Sequence, residues 1–139
     1  MKNAESAVES ETDLVQGLER QPREYLLYLP LYNGVKSLAI GVPAESTITR
    51  ADPRPEAQRK PIVFYGTSIT QGGCASRPGM AHVAILGRQL DRPVVNLGFS
   101  GNGTLDPEIA DLLGEIDAAV FVVDCLPNLD AARVAERAE

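Results

Sequence analysis

The stretch Pro61-Ile62-Val63-Phe64-Tyr65-Gly66-Thr67-Ser68-Ile69 decides how this chain is read. Its apolar run is short and unbroken, as in a strand buried on both faces of a parallel sheet. Glycine ends the run, and a serine stands two residues beyond it. Working outward, the same rhythm returns at Pro93-Val94-Val95-Asn96-Leu97 and at Ala118-Ala119-Val120-Phe121-Val122-Val123. Between the first two strands a helix is predicted from about Gly79, with Met80, Val83, Ala84 and Gly87 on one face. A second helix has Asp106 as its cap, Pro107 in its first turn and an apolar stripe of Ile109, Leu112, Leu113 and Ile116. A third is predicted to start over residues 130–139. The order β-α-β-α-β-α implies right-handed crossovers and a parallel sheet. In such sheets the reactive groups sit past the carboxyl ends of the strands, so the loops to inspect begin at Gly66, Gly98 and Asp124.

Upstream the character changes. Residues 1–23 are polar, carry no sustained apolar period and are expected to be weakly ordered. Met1 to Glu19 is too rich in glutamate for a secretory signal. Residues 25–32 are aromatic and apolar, Asn33-Gly34 follows, and residues 35–42 read as a partner strand. That pattern predicts a β-hairpin, because both turn positions tolerate positive φ. Residues 43–60, with Pro43, Pro53 and Pro55 among many charges, read as a linker. The expected organisation is therefore 1–23, a hairpin and linker over 24–60, and an α/β domain over 61–139.

Composition narrows the function. The 139 residues are 44% hydrophobic and 23% charged, which can support a core. A net charge of -6 speaks against nucleic acid and against an anionic membrane, which both need clustered basic residues. No apolar run approaches the ~20 residues of a spanning helix. With one histidine and two cysteines and no CxxC, no metal site is expected. Cys74 and Cys125 lie on two of the loops and are expected as buried free thiols, with a pairing left open.

Each loop has two readings. In Gly66-Thr67-Ser68-Ile69-Thr70-Gln71-Gly72-Gly73-Cys74, the serine is either an exposed nucleophile or part of a tight, phosphate-cradling turn. It is not a Walker loop, since GxxxxGK[ST] is absent. In Gly98-Phe99-Ser100-Gly101-Asn102-Gly103, glycines either turn N–H groups toward a pocket or merely reverse the chain. Ser100 does not make a GxSxG elbow, because Asn102 stands where the last glycine belongs. In Asp124-Cys125-Leu126-Pro127-Asn128, the Asn128 carboxamide either donates to a developing negative charge or caps the next helix. Asp124 either orients a side chain or satisfies loop amides.

Taken in order, the three loops resemble the blocks of the SGNH (GDSL-type) hydrolase family. Gly66-Thr67-Ser68-Ile69 is similar to its first block, Gly98-Phe99-Ser100-Gly101 to its second, and Pro127-Asn128 to its asparagine block. The string from Gly66 to Gly79 looks like a bacterial subgroup with a β-sandwich-like segment ahead of the hydrolase domain. The resemblance covers about residues 24–139. It implies a flavodoxin-like three-layer α/β fold and a serine esterase that needs no cofactor. It also implies Ser68 as nucleophile, with the Ser68 N–H, the Gly101 N–H and the Asn128 side chain as oxyanion donors. The substrate class it suggests is a small acyl ester, for instance an acylated sugar, in a family whose members are often exported. Thr67 departs from the family's commonest aspartate, although the subgroup also uses threonine there. Asn128 lacks the usual glycine-rich lead-in.

The family draws its base from a late Asp-x-x-His block, and no histidine follows Asn128. The expectation is therefore a truncated sheet and little or no turnover by this chain, with His82 as a poor substitute base. Two other functions fit the same residues. One is a non-catalytic module pairing through its sheet edge. The other is a flavodoxin-like phosphate or nucleotide binder using residues 66–73.

Overall fold

The computed structural model describes residues 9–138. Three parallel strands form one sheet: β1 (Ile62–Gly66), β2 (Val94–Gly98) and β3 (Val120–Asp124), in the order β2-β1-β3. The register runs Ile62 to Val94 and Val120, through Gly66 to Gly98 and Asp124. The α/β architecture expected from the apolar runs is the one observed. The chain steps outward from β1 to β2, then crosses back over β1 to reach β3. The connection therefore reverses direction between β1 and β3, and their carboxyl ends frame the crevice where such sheets bind ligands.

Helix α1 (Glu56–Arg59) is a single turn leading into β1. Helix α2 (Ser68–Gln71) is another single turn, directly after it. A 3-10 turn over Pro78–Met80 precedes α3 (His82–Gln89), so the expected helix starts later than Gly79, and Met80 is exposed rather than on its buried face. The other three positions expected on that face, Val83, Ala84 and Gly87, are buried. With Val83, Ile62 and Phe64 form the core on this side of the sheet, joined by Leu86, Val94 and Val122.

On the opposite side, α4 (Pro107–Gly114) turns Ile109, Leu112, Leu113 and the following Ile116 toward Leu97 and Phe99. Together they line a cavity of about 190 Å³. A 3-10 turn over Leu126–Asn128 then leads to α5 (Ala131–Arg137), whose first N–H groups are capped by Asp130, through Arg133 N to Asp130 Oδ1 at 2.9 Å.

The hairpin expected over residues 25–42 does not form. No strand occurs there, and neither Asn33 nor Gly34 adopts the positive φ that the tight hairpin turn requires. Pro30 also removes a ladder donor from the middle of the first arm. The segment is held by side chains instead. Arg88 Nη1 donates to Tyr28 Oη at 3.0 Å, and the guanidinium lies 5.3 Å from the Tyr28 ring centroid. Leu31 and Tyr32 lie against Gly72 and Gly73. No helix of the described residues is long and apolar enough to cross a membrane.

Candidate active site

The loop after β1 is built around two fully buried threonines, Thr67 and Thr70. Thr67 stays extended, and its Oγ1 accepts from Ile69 N at 3.2 Å, which caps α2 and fixes where Ser68 begins it. Thr70 Oγ1 donates to Asp124 Oδ2 at 3.2 Å, tying α2 to the end of β3. Asp124 thus holds the loop through a hydroxyl, and it satisfies no loop amide among the described hydrogen bonds. Ser68 itself is half-buried.

The second loop is clamped to the first by close approach. A Cβ on Gly103 would lie 2.0 Å from the Gly66 carbonyl oxygen, so only glycine fits there. Phe99 N donates to the same Gly66 oxygen at 2.8 Å. Asn102 N and Gly103 N both donate to Phe99 O at 3.0 Å, while Ser100 N donates to Gln71 Oε1 at 3.0 Å. Of the five N–H groups from Phe99 to Gly103, Gly101's is the one without an acceptor among the described residues. Gly101 has φ +74° and is exposed, so the left-handed turn costs no Cβ clash. The Ser68 N–H likewise has no acceptor among the described residues.

The third loop reaches the second directly. Asn128 is half-buried, and its Nδ2 donates to Gly103 O at 3.4 Å, leaving the other amide hydrogen unused by that bond. The contacts therefore run from Gly66 to Gly103 to Asn128, and from Thr70 to Asp124, bringing all three strand-end loops to one edge of the sheet. The alternative for Asn128, a helix cap, is excluded because Asp130 does that work.

His82 opens α3 and is exposed, with its ring edge-on to Phe64 at 6.2 Å between centroids. Both cysteines are free; Cys125 is buried as expected, but Cys74 is exposed, because the loop after α2 leaves it at the surface. The Cys125 thiol donates to Tyr65 O at 3.9 Å, and burial pushes its pKa up despite hydrogen bonds that act the other way. Among the described residues no group of three metal-ligating side chains occurs.

Two supporting roles were not read from the sequence, that of Asn96 and that of Asp106, which was expected as a helix cap. Asn96 sits inside β2, where its Nδ2 donates to Thr70 O at 3.0 Å and its Oδ1 accepts from Gly98 N at 2.9 Å. An amide inside an apolar strand was the available signal. Asp106 does not cap α4 with its side chain. Its carboxylate accepts from Thr104 Oγ1 at 2.9 Å, Tyr65 Oη at 3.1 Å and Arg137 Nη1 at 2.9 Å. Burial alone would raise the Asp106 pKa, but those hydrogen bonds and the Arg137 charge outweigh it and hold the carboxyl below its ordinary range. Tyr65 is pushed up, chiefly by burial.

Residues 59–139 match the model of the GDSL-like Lipase/Acylhydrolase family. The chain belongs to the GDSL-like lipase/acylhydrolase family. Residues 1–48 match a second model, described as "N-terminus of Esterase_SGNH_hydro-type". Among solved structures, the chain is similar to a "putative GDSL-like lipase" from Bacteroides ovatus ATCC 8483. The two share 44% identity and a TM-score of 0.73. The match covers 80% of this chain and 32% of that one, so this chain spans about a third of that relative's length. No curated protein matches it. Membership of the GDSL-like family agrees with the resemblance carried by the three loops, and it makes the molecule part of a hydrolase family.

Proposed function

We propose that the chain carries the acyl-attack portion of a serine esterase, with Ser68 as nucleophile. Its Oγ adds to the carbonyl carbon of a small acyl ester, the Ser68 proton passes to a base, and the carbonyl oxygen takes up the negative charge. The N–H of Ser68, the N–H of Gly101 and the free amide hydrogen of Asn128 surround that oxygen. The alcohol then leaves, and water resolves the acyl-serine. Each oxyanion donor is worth about 3 kcal/mol of barrier. The observation that carries the proposal is the N–H of Gly101, which has no acceptor among the described residues, in a loop whose four other N–H groups all have acceptors.

A serine hydroxyl needs a proton acceptor. The one histidine of these residues, His82, packs edge-on to Phe64. Turnover by the 139 residues alone is therefore expected to be residual, as in serine hydrolases that lack a triad member. The test is phosphonylation by a fluorophosphonate, with imidazole supplied as external base and adducts located by mass spectrometry. One adduct on Ser68, absent from Ser68→Ala, is expected. An unchanged yield from Ser68→Ala, or an adduct on Ser100, would remove Ser68 from the role.

A further inference from the structure

Gln71 closes α2, half-buried, and both ends of its side-chain amide are used. Its Oε1 accepts from Ser100 N at 3.0 Å, on the residue before Gly101. Its Nε2 donates to Leu31 O at 2.9 Å, in the segment that precedes the sheet. The donor and acceptor ends thus each meet a group of the opposite kind.

The Leu31 carbonyl is itself held in place. Leu31 Cδ1 lies where a Cβ on Gly72 would stand, 2.7 Å from it, and Tyr32 Oη is 2.6 Å from the corresponding position at Gly73. Three residues earlier, Tyr28 is pinned by Arg88 through a hydrogen bond and a cation–π contact. Residues 28–32 are therefore seated on the loop that follows Ser68. No backbone ladder does this, so side-chain anchors and the Gln71 bridge carry the attachment.

We propose that Gln71 is a positioning residue that couples the seating of residues 28–32 to the orientation of the Phe99–Ser100 peptide. That peptide directs the next N–H, at Gly101, so the proposal rests on Gly101 serving as an oxyanion donor. When the segment is seated, the Gln71 amide is fixed by Leu31, and its carbonyl end holds Ser100. When the segment is displaced, Gln71 loses one of its two restraints, and the loop at Ser100–Gly101 loosens. In this way a segment outside the sheet sets the geometry of a catalytic loop it does not enter.

The test uses the 139-residue chain and reads amide hydrogen exchange at Ser100 by NMR, with the Tyr32 15N shift reporting on the Leu31 carbonyl. Gln71→Ala is expected to speed Ser100 exchange by up to about tenfold, the range of one hydrogen bond, and to move the Tyr32 signal. Gln71→Glu keeps an acceptor for Ser100 but has no donor for Leu31. It should move the Tyr32 signal and speed Ser100 exchange by less than Gln71→Ala does, because only the Leu31 restraint is lost. The double variant Tyr28→Ala/Leu31→Ala should speed Ser100 exchange in the parent and add nothing in the Gln71→Ala background, as coupled residues do. Phosphonylation of Ser68 should slow in Gln71→Ala and recover only in part in Gln71→Glu. Ser100 exchange unchanged in Gln71→Ala, or unchanged on removing Tyr28 and Leu31, would overturn the coupling. If Ser68 takes no phosphonate in the parent, the esterase proposal fails, while the exchange data still decide the bridge.

Discussion

β1 and β3 are five-residue parallel strands of similar composition, Ile-Val-Phe-Tyr-Gly and Val-Phe-Val-Val-Asp, paired with each other along their whole length. All five residues of β1 are buried. In β3, Val120, Phe121 and Val123 are exposed, at 51%, 45% and 53%. The difference is one of position. β1 has a strand on each side, α3 over Ile62 and Phe64, and Tyr65 covered by Phe99 and Asp106. β3 has one neighbouring strand, and only Val122 joins the core cluster. Similar apolar runs therefore do different work, and the sheet order assigns it.

The largest test of that contrast replaces the one phenylalanine of each strand. Phe64→Ala should cost about 3–5 kcal/mol, as for other buried aromatic truncations. Phe121→Ala should cost about 1 kcal/mol or less, because little contact is lost. Urea denaturation of the two variants checks this, and equal costs would mean that β3 is packed as tightly as β1.

A smaller effect sharpens the picture on the Tyr65 face of β1. The Asp106 carboxyl has a folded pKa below its ordinary value, so its contribution to stability is present above that ordinary value. It is lost as pH falls through the depressed folded value, below about pH 4. Asp106→Asn should flatten the acid limb of stability by about 1 kcal/mol or less, since the Arg137 pair is partly exposed. Denaturation midpoints at pH 3 and pH 6 decide this. Parallel shifts in parent and variant would show that the carboxylate is not a link in acid stability.

The smallest effect lies at the end of β3. Cys125 is 1% exposed although it follows an exposed strand, because its thiol packs against the Tyr65 carbonyl of β1. Cys74 is exposed. A disulfide reagent should therefore modify Cys74 first and Cys125 more than about tenfold more slowly, with denaturant abolishing the gap. Equal rates in the native protein would mean that the β3 end opens freely.

Much of the hydrolase region was legible in the residues. The apolar runs at Ile62, Val94 and Val120 gave three parallel strands, and the three glycine- or asparagine-bearing loops fell at one edge of the sheet. The helix caps were partly legible. Asp130 caps α5, but Asp106 turned its carboxylate to Tyr65 and Arg137, which come from elements distant in the chain. The Asn33-Gly34 turn failed for the same kind of reason. A local turn preference of this size yields when Tyr28 and Leu31 find tertiary anchors and no neighbouring strand supplies a ladder.

The sequence alone determined the three strands to within a residue or two, the glycines that permit close loop contact, and the order Ser68, Gly101, Asn128. Those are local properties of backbone sterics and hydrophobic spacing. Only the tertiary structure decided which strand is buried, where Asp106 and Gln71 spend their hydrogen bonds, and which N–H is left over at Gly101. Such choices depend on partners tens of residues away, and no local pattern records them.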